Sequence, residues 1–293
     1  MAVSQDTYTE RSDLLAIENS GERMVPELSG GSTFWEHVYR YAFACRFVKG
    51  KRVLDIACGE GYGASALEKA GAAQVIGVDI SGEACRHARK RYGLDARVGS
   101  TEQIPIGDAS VDVIVSFETI EHVLQPGRFL DECDRVLTPG GRLIISTPNK
   151  EVYSGPGQPT NPYHCSEMTE GEFVAALEDR FGGVALYSQH PRWAPWWSPR
   201  TLAADETPWN RLHVFRRVHR SARFRLAPVS VYDPDHEQRS TIVEQILKPR
   251  RPGCSALIPY ALRPRRKWIG EEPFYFVATA TARERPQTQQ ADA

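Results

Sequence analysis

The run Arg52-Val-Leu-Asp-Ile-Ala-Cys-Gly-Glu-Gly-Tyr-Gly63 constrains this chain more than any other segment. It reads as a short apolar strand that enters a glycine turn and leaves it as a helix. Gly59 and Gly61 lack a Cβ, so the backbone can take unusual dihedrals and approach a ligand closely. The helix that follows, from Gly63 to Lys69, aims its unsatisfied N–H groups at the same place. A nicotinamide dinucleotide site uses the spacing G-x-G-x-x-G and usually has an apolar residue at the strand end. Here the spacing is G-x-G-x-G and the strand ends in Asp55, which points away from that class. Twenty residues after Gly59, Gln74-Val-Ile-Gly-Val-Asp79 is a second short buried strand, ending in a carboxylate placed to accept hydrogen bonds from both hydroxyls of a ribose.

Strand and helix patterns go on alternating. Gly82 to Arg91 reads as a helix, Ala96 to Val98 and Val111 to Phe117 as strands, Pro126 to Leu137 as a helix and Arg142 to Ser146 as a strand. Such alternation calls for right-handed crossovers and a mainly parallel sheet covered on both faces. The apolar positions Phe34, Val38, Tyr41, Ala42 and Cys45 have helical spacing and place a helix beside the first strand. Thr169 opens another helix, with a capping-box spacing to Glu172.

This order, with the Asp55–Gly63 turn and Asp79, resembles the class I S-adenosylmethionine-dependent methyltransferases from about Gly21 to Gln189 and again in the final strand. The family's D-x-G-x-G-x-G pattern is broken only at Ala57. Four segments, Gly21-Glu-Arg-Met-Val-Pro-Glu27, Glu36-His-Val-Tyr-Arg-Tyr41, Phe117-Glu-Thr-Ile-Glu-His122 and Asn161-Pro-Tyr-His164, are similar to a bacterial subgroup met among polysaccharide-assembly enzymes. The resemblance implies a doubly wound, Rossmann-like α/β fold with a seven-stranded, mostly parallel sheet. Its last strand, Pro273 to Ala280, would be inserted antiparallel beside Val184 to Ser188. The cofactor implied is S-adenosyl-L-methionine.

Residue roles follow from the resemblance. Arg40 would pair with the methionine carboxylate, and Asp55, Gly59 and Gly61 would line the methionine part. Asp79 would hold the ribose, Ile80 and Phe117 would flank the adenine, and Ser100 and Thr101 would meet its edge, with Ser100 where the family usually has Asp. Glu118 would lie closest to the methionine amino group, while Glu121 would hold a structural hydrogen bond. His122 is the expected general base and His164 a second base or a partner of the acceptor hydroxyl, because an imidazole can take a proton near neutral pH. His37 and Asn149 are assigned to the acceptor. Glu118, His122 and His164 include ligand-type groups, but no close spacing such as H-x-x-x-H accompanies them, so no metal is expected.

The domains expected are an N-terminal segment (1–33), a cofactor-binding core (34–190), an insertion or acceptor lid (191–270), a closing strand (271–283) and a polar tail (284–293). The chain's net charge is -1, yet the stretch Pro191 to Gly270 carries 16 Lys and Arg against 6 Asp and Glu, a net +10. It also holds Trp193, Trp196, Trp197 and Trp209, and aromatic faces among guanidinium groups suit sugar rings and phosphates. Trp196, Arg216 and Arg217 are therefore assigned to a glycan or other small acceptor, which can be phosphorylated. Arg263-Pro-Arg-Arg-Lys267 suits peripheral contact with anionic lipid, and no RNA-recognition signature marks a stable nucleic-acid partner. The six cysteines form no C-x-x-C pair and read as reduced core residues. With no apolar run fit for a signal peptide or a span, the expected place is the cytoplasm. The reading is an O-methyltransferase for a sugar or polysaccharide precursor. Its rivals are another small metabolite, RNA, and a fold that only binds.

Overall fold

The computed structural model describes residue 24 and residues 31–157, 161–191, 260–264 and 273–284. Helix α1 (Gly31–Ala44) leads into β1 (Arg52–Ile56), α2 (Tyr62–Lys69), β2 (Gln74–Asp79), α3 (Gly82–Tyr92) and β3 (Asp95–Val98). Then come β4 (Val111–Ser116), a 3₁₀ turn (Ile120–His122), α4 (Pro126–Val136), β5 (Leu137–Pro148) and a short α5 (Lys150–Tyr153). Helix α6 (Glu170–Glu178), β6 (Phe181–Pro191), β7 (Tyr260–Pro264) and β8 (Tyr275–Ala282) complete the described elements.

The sheet order is β3-β2-β1-β4-β5-β8-β6-β7. Strands β1 to β5 pair in parallel, and β8 enters antiparallel between β5 and β6, as the resemblance implied. The seven expected strands gain an eighth: Tyr260–Pro264, read from sequence as part of the lid, pairs antiparallel with β6 at the sheet edge. No apolar alternation announced it. Its place depends on the partner strand.

Residues alternate between two cores. Val53, Val113 and Val115 face α1, α2 and α3 together with Val38, Leu67 and Ala88, whereas Leu54, Ile56 and Ile114 face α4 and α6 with Phe129, Leu130 and Phe173. A strand buried on both faces must be apolar at nearly every position, which is why the continuous runs in β1, β2 and β4 mark the centre of the sheet. The capping box on α6 is present: Glu172 N donates to Thr169 Oγ1 at 3.3 Å and Thr169 N donates to Glu172 Oε2 at 2.8 Å.

The strand order reverses between β1 and β4, so the carboxyl ends of β1, β2 and β4 open onto one crevice where ligands of such sheets bind. Among the described residues no helix is long and apolar enough to cross a membrane. Of the cysteines described, Cys58, Cys85 and Cys133 are buried and Cys165 is exposed; all are free.

Candidate functional site

The turn after β1 is fixed by its own backbone. Ala57 has φ of 59°, in the left-handed region that a side chain resists, at the position where the family pattern has its first glycine. Gly61, with φ of 98°, could not carry a side chain, since a Cβ there would stand 2.7 Å from Ala88 Cβ. At Gly63 an added Cβ would come 2.0 Å from the Tyr41 ring, so α1 packs directly on the start of α2. Asp79 ties the turn to β2: Gly59 N donates to its Oδ2 and Ser81 N to its Oδ1, each at 2.8 Å. Ile80 beside it is 80% exposed, an aliphatic face that water does not reward. A carboxylate with oriented oxygens, an exposed aliphatic face and a close-lying backbone fit the ribose, the purine and the methionine part of S-adenosylmethionine.

Several residues expected at the ligand also have partners within the chain. Asp55, expected beside the methionine part, is fully buried and accepts hydrogen bonds from Tyr41 Oη at 3.1 Å on both oxygens, so it braces α1. Burial pushes its carboxyl up to about 8, the Tyr41 hydroxyl works against that shift, and Asp79 adds to it. Phe117 does not lie open to an adenine: it is 6% exposed and meets Tyr41 edge to face at 5.1 Å. Ser100 and Thr101 begin the turn after β3, where Ser100 Oγ accepts from Glu102 N at 3.1 Å.

Arg40 also lies deeper than its expected role requires. Its side chain is wholly enclosed, donating to Gln189 Oε1 at 2.8 Å, sharing a contact with His37 Nδ1 at 3.2 Å, and sitting 4.8 Å from the Tyr275 ring centre. The nearest opposite charge is Glu118 at 3.6 Å. Burial opposes the guanidinium's charge, and Glu118, Tyr275 and Glu36 outweigh it. His37 is thus engaged by Arg40. Asn149, assigned to the acceptor, is buried instead, accepting from Glu151 N as the cap of α5 and donating to Pro273 O at 3.0 Å. Trp196, Arg216 and Arg217 lie outside the described residues, as does nearly all of 191–270.

At the end of β4 the side chains carry the geometry. Glu118 is held at φ of 50°; its N donates to Ser146 Oγ at 3.0 Å, and that hydroxyl donates back to Glu118 Oε1 at 2.7 Å. The 3₁₀ turn then places Glu121 inward and His122 outward, with side chains 1% and 30% exposed. Glu121 holds no structural hydrogen bond through its side chain, contrary to expectation: among the described residues neither carboxylate oxygen has a hydrogen-bond partner, and His122 Nε2 stands 4.0 Å from Oε1. Burial, then the nearby Glu118 charge, push its carboxyl well above the ordinary range.

The loop at 161–167 folds onto that turn. The His122 and His164 rings meet edge to face at 4.8 Å, and Tyr153 stacks on His164 at 5.0 Å. The ligand-type trio brought together is Glu121, His122 and His164, in place of the trio with Glu118 suggested by sequence. Sequence reading also missed Tyr41, Ser146 and Gln189, contributed by remote segments, and Glu167, three residues beyond His164. Only the apolar run of β5 that ends at Ser146 hinted that this residue would reach the same sheet edge.

Comparison with known proteins agrees with this construction. A family model described as a methyltransferase domain matches residues 54–145. The chain is 41% identical over 170 residues to a probable S-adenosylmethionine-dependent methyltransferase of Mycolicibacterium smegmatis, covering 56% of this chain and 64% of that protein, just under two thirds of its length. It is 38% identical over 215 residues to a protein of the same description from Mycobacterium tuberculosis, covering 64% of this chain and 77% of the relative. A ubiquinone biosynthesis O-methyltransferase of Nitrobacter winogradskyi is 38% identical over 116 residues, 38% of this chain and 44% of that one. Among solved structures, a methyltransferase of Thermotoga maritima described as a possible histamine N-methyltransferase shares the fold at a TM-score of 0.51 and 19% identity, over 84% of this chain and 88% of its own. The chain belongs to the class I S-adenosylmethionine-dependent methyltransferases, with S-adenosyl-L-methionine as its cofactor.

Proposed function

We propose that this methyltransferase acts on a hydroxyl, most specifically a hydroxyl of a sugar or polysaccharide precursor carried on a nucleotide or lipid. The observation that carries the O-methyl reading is the His122–His164 pair at the end of β4, on the crevice side of the sheet and beyond the cofactor turn. When bound, the cofactor supplies an electrophilic methyl group. The remaining work falls to the chain: aligning the acceptor oxygen and dealing with its proton. His122 Nδ1 lies 3.0 Å from the Tyr163 carbonyl, which orients the ring and leaves Nε2 as the basic nitrogen. Asp79, Gly59 and Ile80 hold the nucleoside side. Arg40, through Glu118, fixes the charge beside the methionine side.

The sugar assignment is supported by the Trp and Arg content of residues 191–270 and by the resemblance of the Phe117–His122 and Asn161–His164 segments. A second reading, another small metabolite bearing a hydroxyl, is favoured by the O-methyltransferase relatives and by the exposed Leu124, 79%, next to the 3₁₀ turn. Labelled S-adenosylmethionine incubated with the protein and fractionated host extract decides between them. Label should enter a carbohydrate or lipid-linked glycan fraction as a base-stable ether. Label in a non-carbohydrate metabolite selects the second reading, and label in RNA or on nitrogen overturns both.

A further inference from the structure

The one buried carboxylate at this edge without a hydrogen-bond donor sits among two imidazoles. Ligand atoms of Glu121, His122 and His164 all lie within 4.8 Å of one another. Glu121 is enclosed, 1% exposed, with His122 Nε2 4.0 Å from its Oε1, too far for a hydrogen bond, and a carboxylate taken out of water with no donor among the described residues must hold a proton or find a cation. Each imidazole is oriented from behind, His122 Nδ1 by the Tyr163 carbonyl at 3.0 Å and His164 Nδ1 by the Glu167 carboxylate at 2.5 Å. A ring whose Nδ1–H donates in this way presents Nε2 as its ligand nitrogen, and such outer partners are what fix metal-binding histidines.

The support is also built in advance. Cys165 N and Ser166 N donate to the Glu121 carbonyl at 2.7 and 2.9 Å, and Ser166 Oγ donates to the carbonyls of Ile120 and Val123 at 2.6 and 2.9 Å. Segments some forty residues apart are therefore locked together whether or not anything binds between them. Ligand atoms about 2.1 Å from a common ion stand about 3 to 3.5 Å apart, so side-chain adjustments of about an ångström close the set.

We propose that Glu121, His122 and His164 bind one divalent first-row transition-metal ion, of the Mn²⁺, Co²⁺ or Zn²⁺ class, with open positions toward the acceptor. Two nitrogens and one oxygen suit these ions better than Mg²⁺ or Ca²⁺, which favour all-oxygen shells. The inference rests on the methyltransferase reading only for what the ion acts upon: a hydroxyl ligated there releases its proton to solvent water near neutral pH. With the ion bound, His122 Nε2 is a ligand; in the metal-free chain the same nitrogen is the base of the proposed function.

The test uses the full chain, freed of metal with a chelator and titrated with Mn²⁺ and Co²⁺ by calorimetry, with Mn²⁺ spin resonance and Co²⁺ absorption as spectroscopic readouts. One ion per chain is expected, with nitrogen ligands visible in the spectra. Glu121→Gln, His122→Ala and His164→Ala should each weaken binding by about tenfold or more. Glu121→Gln replaces a buried acid by a neutral group of the same shape, and a melting curve on the same sample checks that the variant is folded. S-adenosylmethionine affinity, measured on the same samples, should stay within about threefold, well under the tenfold that a lost interaction of 1.4 kcal/mol would cause. Absence of stoichiometric binding of either ion, or binding indifferent to all three substitutions, overturns the site. If the ion binds through these residues but S-adenosylmethionine does not, the site stands and the methyltransferase reading falls.

Discussion

At the β1–β2 side of the crevice the polar groups described above are matched: Gly59 N and Ser81 N share the two oxygens of Asp79, and Asp55 holds the Tyr41 hydroxyl. At the β4 side neither Glu121 oxygen has a hydrogen-bond partner among the described residues, Ser146 holds Glu118 in a left-handed backbone, and two histidines touch. In the first region backbone amides meet the carboxylate at the end of β2, and the buried Glu60 of the turn lies 3.1 Å from His87 Nε2. The second is made of side chains from three segments and keeps a buried acid unpaired. A site whose own bonds are complete can hold a ligand without changing it, whereas unpaired buried groups are where chemistry or an ion is to be sought.

The contrast can be broken most sharply at Asp79. Asp79→Ala removes the acceptor of two backbone amides as well as the expected ribose partner, so S-adenosylmethionine affinity measured by calorimetry should fall by about a hundredfold or more. A change of less than about threefold would mean that the β1–β2 side is not the nucleoside site, since one lost hydrogen bond to a charged group is worth about 1.5–3 kcal/mol.

A smaller effect separates Asp55 from Asp79. The Asp55 carboxyl is raised from 3.8 to about 8 in the fold, so the folded chain binds a proton that the unfolded chain has lost. Its contribution is complete below about pH 4 and declines as pH rises to about 8, by up to about 1.4 kcal/mol per pH unit. Asp55→Asn keeps an acceptor for Tyr41 and should flatten the fall of melting temperature between pH 5 and 8. Cofactor affinity should hardly move; a loss as large as that of Asp79→Ala would show that Asp55 faces the ligand.

The smallest effect is expected at Ala57. A left-handed residue with a Cβ costs about 1–2 kcal/mol, and glycine there loses about 0.5–1 kcal/mol of chain entropy. Ala57→Gly should therefore raise stability by about 0.5–1 kcal/mol in a denaturant titration, with cofactor binding unchanged. Destabilisation would indicate that the methyl group packs where the family pattern leaves room.

The parallel sheet, the glycine turn and Asp79 were legible because their signals are local. Apolar runs such as Val53–Ile56 and Val75–Val78 declare strands buried on both faces, and a turn with Gly59 and Gly61 is written in consecutive residues. The sequence by itself determined the fold class, the cofactor and the presence of Glu118, His122 and His164 near one edge. It could not assign what each group touches. Asp55, Phe117 and Asn149 have the residue types of ligand contacts, and the structure adds that Asp55 and Phe117 pack on Tyr41 and that Asn149 bonds Pro273. Only the tertiary structure decided that Glu121 and not Glu118 faces the histidines: Ser146 holds Glu118 in a left-handed backbone ahead of the 3₁₀ turn, while the 161–167 loop is tied to the Glu121 carbonyl within it. Pairings across forty to a hundred and fifty residues, such as Glu121 with His164 or Arg40 with Gln189, leave no periodic trace in the chain, since burial and chain crossing set them and local propensity does not.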